Sequence, residues 1–270
     1  MQRVHLYAAC WNEIEMVDFF LRHYDPWVER FVIFDDGSTD GSPERLAEHP
    51  RVEVRRLRRA HPDSLVLSLR HLYDHAWKES RDAADWVVVV NLDEHLYHAD
   101  VAGYLESCRR AGVTAIPGLG FQMVSEGLPE PNVRLADAVR TGVPWEPMCK
   151  LSLFDPGAID EIDYAVGRHR AEPAGRVVYP ERDELLTLHF KCLGLDYVDG
   201  RHSEQRTRLT DRDRSQRWGH RYLFDRDETA RWLEELRTAA VDPIALAAAG
   251  RYDVPRWWRE APRPAATASG

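Results

Sequence analysis

The 270-residue chain lacks long hydrophobic runs and closely spaced cysteines. No run of 18 or more apolar residues occurs, which excludes a membrane-spanning helix of ordinary length. The four cysteines, Cys10, Cys108, Cys149 and Cys192, form no C-x-x-C pair, so we expect buried free thiols and neither disulfides nor a zinc site. Residues 1–7 read as the start of a strand and not as a secretory signal, and we therefore expect a cytoplasmic protein.

An excess of positive charge is also missing. Acidic residues outnumber basic ones by 45 to 36, which gives a formal net charge of −9. Because proteins that bind nucleic acid through its phosphates present a cationic surface, we exclude nucleic acid as a partner. Lysine occurs only at Lys78, Lys150 and Lys191, so arginine supplies nearly all of the positive charge. A few arginines are nevertheless enough to bind a diphosphate locally.

The first hundred residues alternate apolar runs with stretches of helical periodicity. Strands are predicted at residues 4–10, 30–34, 52–57 and 86–90, and helices at 13–25, 43–49 and from Ser64 onward. Residues 86–90 (WVVVV) show no polar alternation, which indicates a strand buried on both faces. This order predicts an α/β protein with a doubly wound, mostly parallel central sheet and helices on both faces.

The rest of the chain is first irregular and then helical. Short strands are predicted at residues 114–116, 120–124, 150–154, 176–179 and 185–190. From residue 197 the sequence is charged and helical, with a capping-box pattern at Asp225 and Glu228. We predict a single domain over residues 1–196, a helical C-terminal extension over 197–252 and a disordered tail over 253–270.

Polar side chains follow three of the predicted strands at the points where they end: Asn12 and Glu13, then Asp35, Asp36 and Ser38, and finally Asn91 and Asp93. The carboxyl ends of parallel strands meet at one edge of a sheet, and such sheets bind their ligands there. The sequence therefore predicts a ligand site at this edge.

Residues 34–42 (FDDGSTDGS) partly match a calcium-binding loop. That loop needs a glutamate at its twelfth position, where this chain has Ala47, and a preceding helix, where this chain has a strand. A plain turn with Asp40 as a helix cap would leave Asp35 and Asp36 unexplained. Two adjacent acids at the end of a buried strand suit hydrogen bonds to a nucleobase and to ribose hydroxyls.

Residues 91–95 (NLDEH) follow the apolar strand at 86–90 and offer oxygen ligands for Mg²⁺ or Mn²⁺. Burial at this strand end makes an unpaired carboxylate costly. His189 lies in an apolar run, and spacing alone favours a core role for it over a metal role. His169 has basic neighbours that suit phosphate, but a structural role is equally open. Trp257 and Trp258 are expected to pack against the body of the protein.

Residues 11–13 (WNE), 30–42 (RFVIFDDGSTDGS) and 85–94 (DWVVVVNLDE) together resemble glycosyltransferase family 2. The likeness is strongest to the branch with a "DxDEF" signature and a later strand that carries His followed by Phe or Tyr, and it spans residues 3–192. It implies a GT-A fold with a nucleotide-sugar-binding half (1–100) and an acceptor half (101–196). It also implies a nucleotide-sugar donor with uridine as the default base, a divalent metal (Mn²⁺ or Mg²⁺) and inverting hexosyl transfer.

The resemblance also implies roles for individual residues. The residues that would contact the nucleotide are Asn12, Glu13, Asp35, Asp36, Ser38, Arg70 and Asn91. The metal ligands would be Asp93 and His189. Asn91 replaces the first acid of the family's DxD motif, which removes one charge from the metal site, and His95 replaces an aromatic residue and is either a further ligand or a packing residue. Inverting transfer needs a general base on the acceptor side, for which Glu126 is the first candidate and Asp163 the second.

Two other functions remain open at this point. Sugar nucleotidyltransferases carry a glycine-rich loop after the first strand, whereas residues 8–13 (AACWNE) contain no glycine. A non-catalytic protein that binds nucleotide sugars is supported only by Asn91. The acceptor is a glycan, a lipid-linked sugar or a small natural product, and the sequence leaves this choice and the oligomeric state open.

Overall fold

A computed structural model of the chain describes residues 2–260. Its strands are β1 (Val4–Cys10), β2 (Arg30–Asp35), β3 (Val52–Arg56), β4 (Trp86–Asn91), β5 (Glu94–Tyr97), β6 (Ala115–Pro117), β7 (Leu119–Ser125), β8 (Gly142–Pro144), β9 (Leu151–Phe154), β10 (Ile159–Glu161), β11 (Ala174–Gly175) and β12 (Leu186–Leu193). Its α-helices are α1 (Ile14–Tyr24), α2 (Ser42–Ala47), α3 (Leu65–His75), α4 (Val101–Arg110), α5 (Leu135–Ala138), α6 (Leu195–Arg208), α7 (Asp211–Ser215), α8 (Arg226–Ala239) and α9 (Pro243–Ala248).

The main sheet has the strand order β3-β2-β1-β4-β9-β6 within the described residues. The first four of these strands are parallel, and β9 runs antiparallel to both of its neighbours. In the register of the sheet, Cys10 pairs with Asp35 and Ala9 pairs with Asn91, so β1, β2 and β4 end at the same level. The predicted α/β class with a mostly parallel sheet is confirmed.

Both faces of the sheet are covered, as the four valines of β4 show. Val88 and Val90 belong to the core that contains the buried faces of α1 and α4. Val87 and Val89 belong to a second core on the opposite face, which contains Trp77 together with Leu72 and Tyr73 of α3. All four valines are at most 1% exposed, as expected for a central strand that packs on both faces.

A second sheet, with the order β5-β12-β7-β8, continues from the end of the first. Only Leu92 and Asp93 separate β4 from β5, so the chain passes directly from one sheet to the other. The strand β12 pairs with β5 and with β7, which places His189 opposite both Glu94 and Gln122. A residue from late in the chain is thereby brought to the carboxyl end of β4.

Two expectations for the second half of the chain are wrong. Residues 176–179 form no strand: the Thr114 side chain donates to the Arg176 carbonyl (2.6 Å) and accepts from the Val178 amide (2.8 Å), which diverts the backbone groups that a strand would pair. Residues 253–260, which fell within the predicted disordered tail, pack on the body. Trp258 is buried and Trp257 donates to the Cys149 carbonyl, so the packing expected for these two tryptophans is confirmed. Residues 261–270 of that predicted tail lie outside the described residues.

Other expectations are confirmed. All four cysteines are buried free thiols. The side chain of Ser64 caps α3, and Asp225 and Glu228 form the capping box of α8. None of the helices within residues 2–260 is long and apolar enough to cross a membrane.

Two buried imidazoles stack between α1 and β5. The ring centroids of His23 and His95 lie 4.4 Å apart, and neither ring nitrogen of His95 has a hydrogen-bond partner within the described residues. Burial lowers the pKa of His23 to about 4 and holds the pKa of His95 well below its ordinary value. The structure therefore places His95 in the core, packed against His23, which favours the packing role over the ligand role.

We predict that this pair makes the protein sensitive to acid. In the unfolded chain both histidines bind protons near pH 6.5, whereas the folded protein keeps them neutral, so stability is lost as the pH falls below 6.5. At pH 5.5 each such histidine lowers the free energy of unfolding by about 1.4 kcal/mol. The His95→Phe variant should therefore gain about that much over wild type between pH 7.5 and pH 5.5 in urea unfolding. The exposed His75→Gln serves as control, and parallel pH profiles for wild type and His95→Phe would contradict the prediction.

Candidate functional site

The loops after β1 and β2 are joined at the carboxyl edge of the main sheet. The backbone N–H of Asn12 donates to Ser38 Oγ (2.9 Å), and the N–H of Thr39 donates to Asn12 Oδ1 (2.8 Å). The N–H of Glu13 donates to Ser42 Oγ (2.8 Å). Asn12 has a φ of +49°, a left-handed conformation that asparagine tolerates better than most residues. We call Asn12, Glu13, Asp35, Asp36, Asn91 and Asp93 the edge cluster.

Asp35 is bound by its own loop. Its carboxylate accepts hydrogen bonds from the N–H of Gly37 (2.8 Å) and from the N–H (3.1 Å) and Oγ (2.6 Å) of Ser38. Gly37 has a φ of +86°, which a side chain would strain, and an added Cβ would lie 2.8 Å from Arg56. Asp35 and Ser38 thus shape the loop that presents Asp36.

Asp36 is held by two arginines. Arg59 binds it through Nε (3.1 Å) and Nη2 (2.6 Å), and Arg208 of α6 donates to the same carboxylate. Burial alone would raise the pKa of Asp36, but the hydrogen bonds from both guanidinium groups hold it below its usual value. The Arg208 guanidinium also lies 4.2 Å from the centre of the Trp11 ring. The carboxyl edge is thus in contact with the C-terminal helices.

Asp93 and His189, the two residues predicted as metal ligands, lie next to each other at this edge. Asp93 Oδ2 lies 3.2 Å from His189 Nε2, and His189 Nδ1 lies 2.7 Å from Gln122 Oε1. Because an amide oxygen only accepts, Nδ1 carries a proton and Nε2 faces Asp93. Although burial alone would raise the pKa of Asp93, the neighbouring imidazole holds it below its ordinary value. Gln122 was absent from the predicted site.

A fully buried carboxylate lies directly after Asp93. Glu94 accepts from Lys150 Nζ (2.7 Å), from Arg168 Nη2 and from the side chain of Asn91 (3.1 Å), and all three charged side chains are at most 4% exposed. Burial would raise the pKa of Glu94, but Arg168 and Lys150 hold it well below its usual range. Tyr73 donates to Asn91 Oδ1 (2.7 Å) from the other side. We call Glu94, Lys150 and Arg168 the buried triad.

The Asn91 amide is therefore partly used inside the protein. One Nδ2 hydrogen goes to Glu94 and one Oδ1 lone pair to Tyr73, which leaves one donor and one acceptor position for a ligand. Asn91 thus joins the buried triad to the edge cluster without adding charge.

Two cations that the sequence did not single out complete the surroundings. Arg201 of α6 donates to the backbone carbonyl of Asn12 and to the carboxylate of Glu13. Burial raises the pKa of Glu13, and Arg201 opposes that shift. The ammonium group of Lys191, which lies on β12 two residues after His189, donates to the hydroxyl of Tyr222 (3.2 Å). The carboxyl edge is therefore bordered by positive charge.

The other predicted site residues lie away from this cluster or bind elsewhere. Arg70 pairs with Asp163 (3.1 Å) and Asp74 (3.6 Å). Glu126 is 86% exposed and lies 3.2 Å from Arg237. His169 Nδ1 is hydrogen-bonded with the Pro147 carbonyl (2.7 Å). The structure thus separates Glu126 from Asp163, the two candidates for the general base.

A cleft of about 880 Å³ opens beside the edge cluster. Its walls come from the loop after β7, the start of α6 and parts of α1 and α8, and they include Glu126, Leu128, Tyr197, Arg201, Arg226 and Arg237. We call this cleft the side cleft. Arg201 borders both the side cleft and the edge cluster, because its guanidinium binds Glu13. A ligand at the edge and a ligand in the side cleft would therefore be neighbours.

No protein-family model matches the chain, and no curated protein matches it. Solved structures with similarity to it include S. aureus TarS, at 12% identity and a TM-score of 0.34 over 57% of this chain and 28% of that one. Mannosyl-3-phosphoglycerate synthase from Rubrobacter xylanophilus is 16% identical, with a TM-score of 0.33 over 44% of this chain and 40% of that one.

A third structure is glucosyl-3-phosphoglycerate synthase from Mycobacterium tuberculosis in complex with Mn²⁺, UDP and phosphoglyceric acid. It is 17% identical, with a TM-score of 0.31 over 45% of this chain and 43% of that one. The chain spans less than half of the length of these proteins.

We predict that the buried triad is essential to stability. Replacing Arg168 by Met removes one of the two cations that neutralise Glu94, and breaking a buried ion pair costs about 3–5 kcal/mol. Arg182→Met is the matched control, because Arg182 is 82% exposed and its pairing with Glu184 is worth about 1 kcal/mol at most. The free energies of unfolding in urea test the comparison, and equal losses in the two variants would refute it.

Proposed function

We propose that the protein is a glycosyltransferase that moves a sugar from a nucleotide-sugar donor, by the family resemblance a UDP-sugar, to an acceptor hydroxyl with inversion. The observation that carries this proposal is the Asp93–His189 pair at the carboxyl edge, beside the loops of Asn12 and Asp36. Sheets of this kind bind nucleotides at that edge. Carboxylates that follow parallel strands are suited to the base and ribose.

The side chains at the pair fit a divalent metal. Among residues 2–260 no three His, Cys, Asp or Glu side chains come together as a metal-binding group, so Asp93 and His189 would supply two ligands. Mg²⁺ and Mn²⁺ sites in nucleotide enzymes commonly use one or two protein ligands and take the remainder from phosphate and water. The hydrogen bond from Nδ1 to Gln122 orients the imidazole so that Nε2 faces Asp93, as ligating histidines require. A bound divalent ion would offset the charge that develops on the leaving diphosphate.

We assign the nucleotide to the edge cluster. Asp35 and Ser38 hold the loop that presents Asp36 to the base and ribose, while Asn12 and Glu13 line the same side. Asn91 keeps one free donor and one free acceptor for a ribose hydroxyl. Lys191, whose ammonium group donates to a neutral hydroxyl, adds positive charge near the diphosphate, where the acidic edge would otherwise repel it.

Transfer then needs a base on the acceptor side. The acceptor oxygen forms a bond to the anomeric carbon while the bond from that carbon to the diphosphate oxygen breaks, and the diphosphate leaves with the electron pair. A carboxylate takes the proton of the acceptor hydroxyl. We assign this role to Glu126, because it lines the side cleft next to Arg201, whereas Asp163 lies on the side of α3 and pairs with Arg70.

The first prediction from this proposal concerns nucleotide binding. In calorimetric titrations with UDP and Mn²⁺, Asp93→Ala should weaken binding at least about 100-fold, since it removes a ligand, and Gln122→Met about 10–100-fold, since it frees the imidazole. Asp82→Ala, which removes an exposed carboxylate in the turn before β4, is the matched control and should bind as wild type does. EDTA should weaken binding to the wild-type protein and leave Asp93→Ala unchanged.

Other results of the same titration have defined meanings. A UDP affinity that neither EDTA nor Asp93→Ala changes would favour the alternative of a non-catalytic protein that binds nucleotide sugars. Binding of GDP or dTDP in place of UDP would change only the base. Absence of binding with all three nucleotides would overturn the assignment of the donor site.

The second prediction concerns the general base. Glu126→Gln should lower kcat by about 10²–10⁴ and leave UDP affinity unchanged, because it removes proton transfer and not donor binding. Asp163→Asn, the variant of the other candidate, should retain kcat. Release of UDP from a nucleotide sugar in the presence of an acceptor measures both, and the reverse pattern would move the base to Asp163.

A further inference from the structure

The side cleft has a composition that selects among acceptors. Every arginine on its walls is already shared between two carboxylates: Arg201 with Glu13 and Glu204, Arg226 with Asp196 and Asp199, and Arg237 with Glu126 and Glu234. The N–O distances include 2.7 Å for Arg201–Glu204, 3.2 Å for Arg226–Asp199 and 3.2 Å for Arg237–Glu126. The guanidinium groups are therefore outnumbered by the carboxylates that hold them.

This balance disfavours a negatively charged ligand. A phosphate or carboxylate that entered the side cleft would meet these carboxylates at close range, and their repulsion would oppose its attraction to the guanidinium groups. Glu15 adds another acid to the wall. Sites that select anions instead present arginines free for bidentate binding.

Uncharged hydroxyl groups suit the same walls. The carboxylate oxygens accept and the guanidinium N–H groups donate, so each ion pair offers both functions to a hydroxyl without a change in net charge. The half-buried ring of Tyr197 and the side chains of Leu128 and Leu195 supply apolar surface for the C–H face of a sugar ring. A cleft of about 880 Å³ lies within the range of small-molecule sites, about 300–1,000 Å³.

We propose that the side cleft is the acceptor site and that it selects an uncharged, hydroxyl-rich acceptor, such as the end of a neutral glycan, over a phosphorylated or carboxylated one. This inference rests on the proposed function for its place in the reaction. Arg201 connects the two sites, since it binds Glu13 of the edge cluster and Glu204 of the cleft. The acceptor hydroxyl gives its proton to Glu126 on the wall of the cleft as its oxygen bonds to the anomeric carbon.

Direct binding tests the ligand class without turnover. The purified 270-residue protein, fluorescently labelled, is applied to an array of neutral glycans and their phosphorylated, sulphated and uronic-acid counterparts. Binding confined to neutral glycans supports the proposal. Binding confined to acidic glycans overturns it.

Variants that release an arginine make the test specific to the cleft. The double variant Asp196→Asn/Asp199→Asn frees Arg226, and Glu234→Gln removes one partner of Arg237. Each should raise binding of acidic glycans at least fivefold over wild type. Asp63→Asn frees Arg212 in an exposed pair outside the cleft and should leave the array pattern unchanged. If the acidic glycans gain nothing in either cleft variant, or gain equally in Asp63→Asn, the proposal is wrong.

Calorimetry with UDP, GDP and dTDP on the same protein separates this inference from the proposed function. Nucleotide binding with no glycan bound at any array position overturns the cleft assignment and leaves the donor site intact. Glycan binding with no nucleotide bound overturns the proposed function and retains the ligand class of the cleft. A protein that binds neither overturns both.

Discussion

The geometry of the carboxyl edge depends on the burial of one charge, the carboxylate of Glu94. It is fully buried, and a carboxylate in such a place is tolerated only because Lys150 and Arg168 reach it from separate parts of the chain. Arg168 also donates to the Val89 carbonyl of β4 (2.6 Å), so the same side chain holds the central strand and the acid that follows it. Asp93 lies between Asn91 and Glu94, both of which are fixed by this network. The position of Asp93, the candidate metal ligand, is therefore fixed by its buried neighbours.

The acidic edge is balanced locally by arginines, although the protein as a whole is negatively charged. Arg59 and Arg208 neutralise Asp36, and Arg201 is hydrogen-bonded to Glu13. Two of these three come from α6, in the predicted C-terminal extension. The C-terminal extension therefore contributes to the carboxyl edge of the main sheet, because its arginines contact the acidic side chains there.

Much of the first half of the fold could be predicted from sequence. The run of valines in β4, the helical spacing of α1 and the polar residues after β1, β2 and β4 depend on local patterns, and the structure brings those strand ends together. Lys150, Arg168, Gln122 and Arg201 could not be found in the same way. Each acts through a partner about 55 to 190 residues distant in sequence, and nothing in its immediate surroundings marks it as different from an ordinary core or surface residue. The strand predicted at residues 176–179 was wrong for a related reason, because the side chain of Thr114 binds backbone groups that a partner strand would have paired.

Asp93 and His189 are brought together by the pairing of β12 with β5, two strands that lie far apart along the chain. Contacts of such long sequence separation form late, because closing a long loop is entropically costly and must precede the energy that the contact returns. A chain of only the first hundred residues would lack the imidazole of His189 and also Lys150 and Arg168, the two cations that hold Glu94 beside Asp93. The candidate site is thus assembled only when the second half of the chain has docked, so its formation reports on the completion of folding.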